Sequence, residues 1–230
     1  MSGVSAEQQL ITGKGETFNH SEINRVLDLC PPPYVLFVDG ALVHQEDTTR
    51  KVAELQSVTR SSVIGITGPL VTSKGLRSWA RVLMDLDYLD RDPVPYDLDQ
   101  IQSAERYLAV LCETISRRDF HFVLSGYSQG AALALRVQVC NPHMVRRAVA
   151  ICGVQIRAYP YLPSLEPRGT ITVMIHADRD RYGSLADKKR LTSIFRAKEH
   201  ILRDHVHSWS CRIVKKFGEV LANDFIPDFE

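Results

Sequence analysis

The sequence predicts an α/β protein with a mostly parallel central sheet, helices on both faces and no large cap domain. Three observations carry that expectation. Short apolar, β-branched runs alternate with amphipathic stretches of helical length, the pattern of strand–helix–strand units that pair in parallel. The 230 residues are 44% hydrophobic and 24% charged, ordinary for a globular chain long enough to bury a substantial core. At one strand-to-helix junction stands Gly126-Tyr127-Ser128-Gln129-Gly130, a spacing suited to a very sharp turn.

Taken in order, residues 1–20 read as a loose polar arm. Ser21 can cap a short helix with Ile23, Val26 and Leu27 on one face, stopped by Pro31-Pro32-Pro33. Residues 34–38 form the first strong strand, followed by a helix near 47–58 and a strand at 62–66. Residues 75–89 show amphipathic helical spacing through Leu76, Trp79, Ala80, Leu83 and Leu86. A proline-containing loop over 90–97 precedes a helix at 101–116. The strand at 121–127 and its following helix, which ends before Pro142, come next. Strands at 148–152 and 170–175, a helix at 184–198 and a closing helix at 214–223 complete the pattern.

Several classes are disfavoured by composition. The net charge of +1 gives no electrostatic reason to bind nucleic acid, and Arg117-Arg118, Arg146-Arg147 and Lys188-Lys189-Arg190 read as solvated faces. No apolar run approaches a membrane span, so no membrane anchor is expected, and Met1–Gly15 lacks the apolar core of a signal peptide. Five scattered cysteines (Cys30, Cys112, Cys140, Cys152, Cys211) suit free thiols in a reducing, cytoplasmic setting and read as small buried hydrophobes.

The pentapeptide carries the chemistry. In a strand–turn–helix the central serine is forced into a strained conformation, and residues two positions away on either side must lack side chains. Gly126 and Gly130 meet that need, while Ala131 and Ala132 keep the first helical turn thin. Ser128 would then present its hydroxyl above the sheet, at the positive end of a helix. A serine that merely caps the helix accounts for one small residue, not for two flanking glycines.

A serine nucleophile needs a base, and the base needs an orienting carboxylate, in the chain order Ser, acid, His. The strand 170–175 leads into His176-Ala177-Asp178-Arg179-Asp180, so the acid is Asp180, further out on the loop, or Asp178. The histidine falls late, and His205 and His207 have equivalent parity on a strand, with His207 favoured. One oxyanion donor would be the Gln129 N–H; the second comes from the turn after residues 34–38, where Gly40 allows the Ala41 or Leu42 amide to face the site. A cation held by His176, Asp178, His205 and His207 is the competing arrangement, but no metal-binding spacing supports it, and neither metal nor cofactor is expected. The loop Tyr159–Leu165, with Tyr159, Tyr161 and Leu162, together with Leu42 and Leu86, could line an acyl pocket, and residues 86–96 could form a small lid.

Gly-Tyr-Ser-Gln-Gly-Ala-Ala-Leu resembles the nucleophile elbow of α/β-hydrolase serine esterases, in particular the cutinase-like and phospholipase/carboxylesterase (acyl-thioesterase) groups. His176-Ala-x-x-Asp180 is similar to the His-Gly-x-x-Asp loop of the second group, which implies Asp180 as the acid. His207-Ser-Trp209 is similar to a His-x-Trp ending, which implies His207 as the base. The sequence departs from these groups at Asp39-Gly40, where relatives carry His-Gly, at Ala177, and in lacking paired cysteines. The resemblance covers roughly residues 34–220, and the expected organisation is an N-terminal arm and short helix over 1–30 followed by one catalytic domain over 31–230. It also implies hydrolysis of a small-molecule acyl ester or thioester. Two alternatives keep the same residues: a hydrolase-fold binding or receptor protein without turnover, and an acyltransferase.

Overall fold

The computed structural model describes residues 4–5, 8–81, 96–153, 169–182 and 185–225. Its strands are β1 (Val4–Ser5), β2 (Gln9–Thr12), β3 (Thr17–Asn19), β4 (Tyr34–Val38), β5 (Ser62–Ile66), β6 (Leu70–Val71), β7 (Arg77–Ser78), β8 (Val123–Tyr127), β9 (Arg147–Ile151), β10 (Ile171–Ala177) and β11 (Lys198–Leu202). Its α-helices are α1 (Ile23–Leu29), α2 (Gln45–Ser57), α3 (Leu98–Ser116), α4 (Gln129–Cys140), α5 (Leu185–Ile194) and α6 (Cys211–Asn223).

The main sheet has the order β11-β10-β9-β8-β4-β5-β2-β3. From β11 to β5 every pair is parallel, and β2 and β3 close one edge antiparallel. A small antiparallel sheet joins β1, β6 and β7. The central strands read as near-continuous apolar runs because both faces are covered. In β4 the alternation is visible in the packing. Leu36 and Val38 join the cluster made with α1, α3, α4 and α5, whereas Val35 and Phe37 join the cluster made with α2 and α6. Each fully buried Val, Leu, Ile or Phe contributes about 1.5–3 kcal/mol of transfer free energy.

The strand order reverses between β4 and β8. The unit β4-α2-β5 runs toward one edge; β8-α4-β9 and β10-α5-β11 run toward the other. Such a switch opens a crevice at the carboxyl ends of the two strands, where ligands bind in doubly wound sheets. The turn at Asp39–Leu42 and Ser128 both follow those ends.

Four expectations change. The arm is not loose: Leu10 and Ile11 are buried in β2, which pairs with β5 through Leu10–Ile66 and Ile11–Gly65. Residues 75–81 are not helical. Arg77 exchanges backbone hydrogen bonds with Val43, and Trp79 and Ala80 are buried with their amides committed to Gln129. That tertiary pairing overrides the local amphipathic spacing; Leu83 and Leu86 lie outside the described residues. Of the cysteines, Cys112 and Cys152 are buried, but Cys140 and Cys211 are exposed on helix surfaces. In Lys188-Lys189-Arg190, Lys188 points inward and is only 2% exposed. No helix among the described residues is long and apolar enough to cross a membrane.

Candidate active site

Ser128 stands between β8 and α4 with φ 54° and ψ −117°, a region that residues other than glycine rarely occupy. The strain persists because both sides of the turn are anchored: the Ser128 N–H donates to the Ile151 carbonyl, and its carbonyl accepts from the Ala132 N–H. The tightness explains the glycines. A Cβ on Gly126 would lie 2.3 Å from the Gly130 carbonyl oxygen, and a Cβ on Gly130 would lie 2.1 Å from that of Val38. The Ser128 hydroxyl does not cap α4. It turns the other way, to His207 Nε2 at 2.9 Å.

His207 follows β11 on the loop to α6. Its Nδ1 is 2.8 Å from Asp180 Oδ2. A carboxylate can only accept, so the ring hydrogen sits on Nδ1, and Nε2 accepts from Ser128. Aromatic rings fix the imidazole plane: Tyr182 meets it edge-on at 4.6 Å and Tyr127 packs on it at 5.4 Å. Asp180, on the loop after β10, accepts at Oδ1 from the Tyr182 N–H and at Oδ2 from His207, and Oδ2 also pairs with the Lys188 ammonium at 2.9 Å. Burial works to raise its carboxyl. The hydrogen bond and charge of His207, then the Lys188 ammonium and the Tyr182 amide, outweigh burial and hold it below the usual carboxylate range.

The neighbouring candidates go elsewhere. Asp178 accepts from the N–H groups of His205 and Asp204, and those bonds, the His205 amide first, hold its carboxyl low. It staples the loop rather than reaching the serine. His205 Nε2 faces the Ser208 carbonyl at 3.1 Å and the Ser210 hydroxyl at the start of α6. The His176 ring is buried beside Thr192 on the α5 side of β10. Hence His176, Asp178, His205 and His207 do not converge. Among the described residues the potential metal ligands that do cluster are Cys152, Asp180 and His207. That set fits a cation poorly, because Asp180 Oδ2 already serves Lys188 and His207, and burial pushes the Cys152 thiol up to about 12.

The turn after β4 approaches the serine closely; a Cβ on Gly40 would lie 3.3 Å from Ser128 Cβ. Its amides divide their work. Gly40 N–H donates to the Asp39 carboxylate, and Leu42 N–H to Ser78 Oγ at 3.4 Å, which among the described residues leaves the Ala41 amide of this turn. Gln129 is the first residue of α4, so its amide has no helical acceptor. The Gln129 side chain, fully buried, accepts from the Trp79 and Ala80 amides and donates to the Ala80 carbonyl. The Trp79 indole in turn donates to the Asp39 carbonyl at 2.9 Å, tying the turn to the elbow. Motif reading did not single out Trp79, Lys51, Tyr127, Tyr182 or Lys188. Only Lys188 had a usable signal, its helical spacing to Leu191 in α5 and to Phe195 just past its end, both buried. The remaining expected pocket residues, Tyr159, Tyr161 and Leu162, lie outside the described residues, as does most of the expected lid.

No protein-family model matches the chain, and no curated protein matches it. Solved structures do. Zea mays acyl-protein thioesterase 2 superposes with a TM-score of 0.69 at 15% identity, over 96% of this chain and 100% of that one. Esterase PE8 gives 0.69 at 16% identity, over 96% and 99%. A carboxylesterase from Mesorhizobium loti gives 0.67 at 18% identity, over 84% and 90%. This chain has the α/β-hydrolase fold. Within that α/β-hydrolase frame, Ser128 occupies the strand–helix elbow after β8, Asp180 the loop after β10 and His207 the loop after β11.

Proposed function

We propose that the chain is a serine hydrolase that cleaves a carboxylic ester or thioester through an acyl-enzyme intermediate. The observation that carries this reading is the His207 imidazole held between the Ser128 hydroxyl and the Asp180 carboxylate. Ser128 Oγ attacks the carbonyl carbon as its proton passes to His207 Nε2, while Asp180 keeps Nδ1 protonated and stabilises the imidazolium. The oxyanion accepts from the amides of Gln129 and Ala41; one such donor is worth on the order of a hundredfold or more in rate. As the intermediate collapses, His207 returns the proton to the leaving oxygen or sulfur. Water, deprotonated by the same nitrogen, then releases the acid. The similarity to esterases and an acyl-protein thioesterase supports the bond class.

We take the substrate to be a soluble short- to medium-chain acyl compound, with half-buried Leu42 beside the oxyanion turn. Each buried methylene contributes about 0.8 kcal/mol, so a small wall rewards a few carbons and then stops. Five unpaired cysteines suit a reducing, cytoplasmic compartment. The test is labelling with a fluorophosphonate probe alongside a chain-length series of aryl esters. Stoichiometric labelling at Ser128, lost in Ser128→Ala together with hydrolysis, is the expected result. A folded protein that binds acyl ligands without labelling is a binding protein instead. Preferential transfer of the acyl group to an added alcohol over water identifies an acyltransferase. If kcat/KM keeps rising to long chains, or jumps above the micellar threshold, the substrate is lipid.

A further inference from the structure

The Asp180 carboxylate has a second cationic partner in addition to His207. Lys188 Nζ, near the start of α5, lies 2.9 Å from Asp180 Oδ2 and donates to the Ala177 carbonyl at 3.1 Å. Its side chain is 3% exposed and that of Asp180 1%. Burying an ammonium is costly unless it is paired, and here the partners are the acid of the site and the last carbonyl of β10.

Resting on the Ser128–His207–Asp180 reading above, we propose that Lys188 is a positioning residue that locks the Asp180 carboxylate toward His207 and sets the lowest pH at which His207 can serve as base. The locking follows from geometry. Oδ2 is held from two directions and Oδ1 by the Tyr182 amide, so rotation about the carboxylate bond breaks two hydrogen bonds and an ion pair. The electrostatic part follows from distance. Lys188 Nζ and His207 Nδ1 share one oxygen, so they lie no more than about 6 Å apart, a range over which a like charge disfavours a second positive charge. With Lys188 present, the resting site of Asp180, His207 and Lys188 is neutral rather than anionic, and a proton is bound by the imidazole less readily. Among the described residues, the other titratable and charged groups around the site are Cys152, His176, Tyr127 and Tyr182, with Arg181 over the Tyr182 ring, Glu199 behind His176 and the Lys51–Asp39 pair beyond Tyr127. Among the described residues, Lys188 is the permanently charged cation paired with Asp180.

The experiment compares kcat/KM against pH for p-nitrophenyl butyrate in the wild type, Lys188→Met and Lys188→Arg, with folding followed by circular dichroism. Expected are an acid limb about one pH unit higher in Lys188→Met, a kcat about tenfold lower on the plateau with KM changed less than threefold, and a limb returned to the wild-type position in Lys188→Arg. If Lys188→Met does not fold, Lys188→Gln, which keeps a donor for the Ala177 carbonyl, is read in its place. An unmoved limb in the neutral variants, or an equal displacement in Lys188→Arg, overturns the role of Lys188 while the triad stands. A wild type that neither turns over the ester nor labels at Ser128 overturns the triad reading itself.

Discussion

The Lys51 ammonium and the Asp39 carboxylate meet at 2.7 Å with both side chains out of solvent, directly beneath the turn that carries Gly40 and Ala41. Thr48 Oγ1 and the Gly40 amide complete the shell of Asp39, and Lys51 also lies over the Tyr127 and Trp209 rings at 5.0 and 5.7 Å. Breaking a buried pair by removing one partner is far more damaging than replacing both, because a lone charge stays behind. Lys51→Met is expected to cost about 3–5 kcal/mol, and Asp39→Asn combined with Lys51→Met to recover at least half of that. Urea denaturation of the single and double variants measures it. A loss under about 1 kcal/mol for Lys51→Met would reduce the pair to the standing of a surface ion pair.

The elbow glycines make a contrast available within one residue type. Gly130→Ala places its methyl 2.1 Å from the Val38 carbonyl oxygen and 2.5 Å from that of Asp39, with backbone on both sides and nothing flexible to yield. It is expected to lose about 3 kcal/mol or more, or not to fold. Gly153→Ala, whose methyl would meet Ala131 Cβ at an ordinary 3.5 Å, is expected to cost less than about 1 kcal/mol. Thermal melts of the two variants side by side decide it, and equal stability would show that the elbow relaxes.

Two sequence neighbours should separate by kinetics. His207→Ala and Asp180→Asn are expected to lower kcat by about 10⁴-fold or more, as loss of a base or its tautomer-setting partner does. His205→Ala and Asp178→Asn are expected to stay within about tenfold of wild type, because their bonds go to Ser208, Ser210 and loop amides. A single-substrate assay with active-site titration suffices. If His205→Ala is the dead variant, the base is reassigned.

Stability should depend on pH through a group away from the reacting atoms. Burial, and then the Lys188 charge, lower the His176 imidazole from an ordinary value near 6.5 to about 4. Well above pH 6.5 the ring is neutral folded and unfolded, and it contributes nothing to the pH dependence. Between about 6.5 and 4 the unfolded chain binds a proton that the folded one refuses, so stability falls as pH falls, by about 3 kcal/mol. In His176→Gln this share of the slope should vanish between pH 4 and 6.5, as read by urea midpoints. An unchanged slope would mean that His176 takes up its proton while folded.

Much of the fold was legible because its signals are local. Parallel strands buried on both faces must be apolar runs, so β4, β5, β8, β9 and β10 stand out one by one, and the helices between them carry 3.6-residue spacing. The elbow was legible for the same reason: Gly126, Ser128 and Gly130 answer a steric demand within five residues. Loop order and motif likeness then named Asp180 and His207, which lie within hydrogen-bonding distance of their partners. The short strand β2 and the edge strands β3 and β11 were missed, because β2 and β11 are fixed by pairing with β5 and β10, not by a strong local pattern.

What only the tertiary structure decided is how the charged and aromatic residues are spent. Asp178 and Asp180, two residues apart, differ because one meets loop amides while the other meets an imidazole and an ammonium 27 and eight positions further along the chain. Lys188 looks like its exposed neighbours Lys189 and Arg190, yet α5 turns it onto the end of β10. Trp79, within a stretch of helical pattern, is held by the Gln129 side chain and the Asp39 carbonyl instead. Composition and periodicity encode whether a residue prefers water or a core. They do not encode which buried carboxylate will face which cation, because that pairing exists only once strands distant in sequence have been brought side by side.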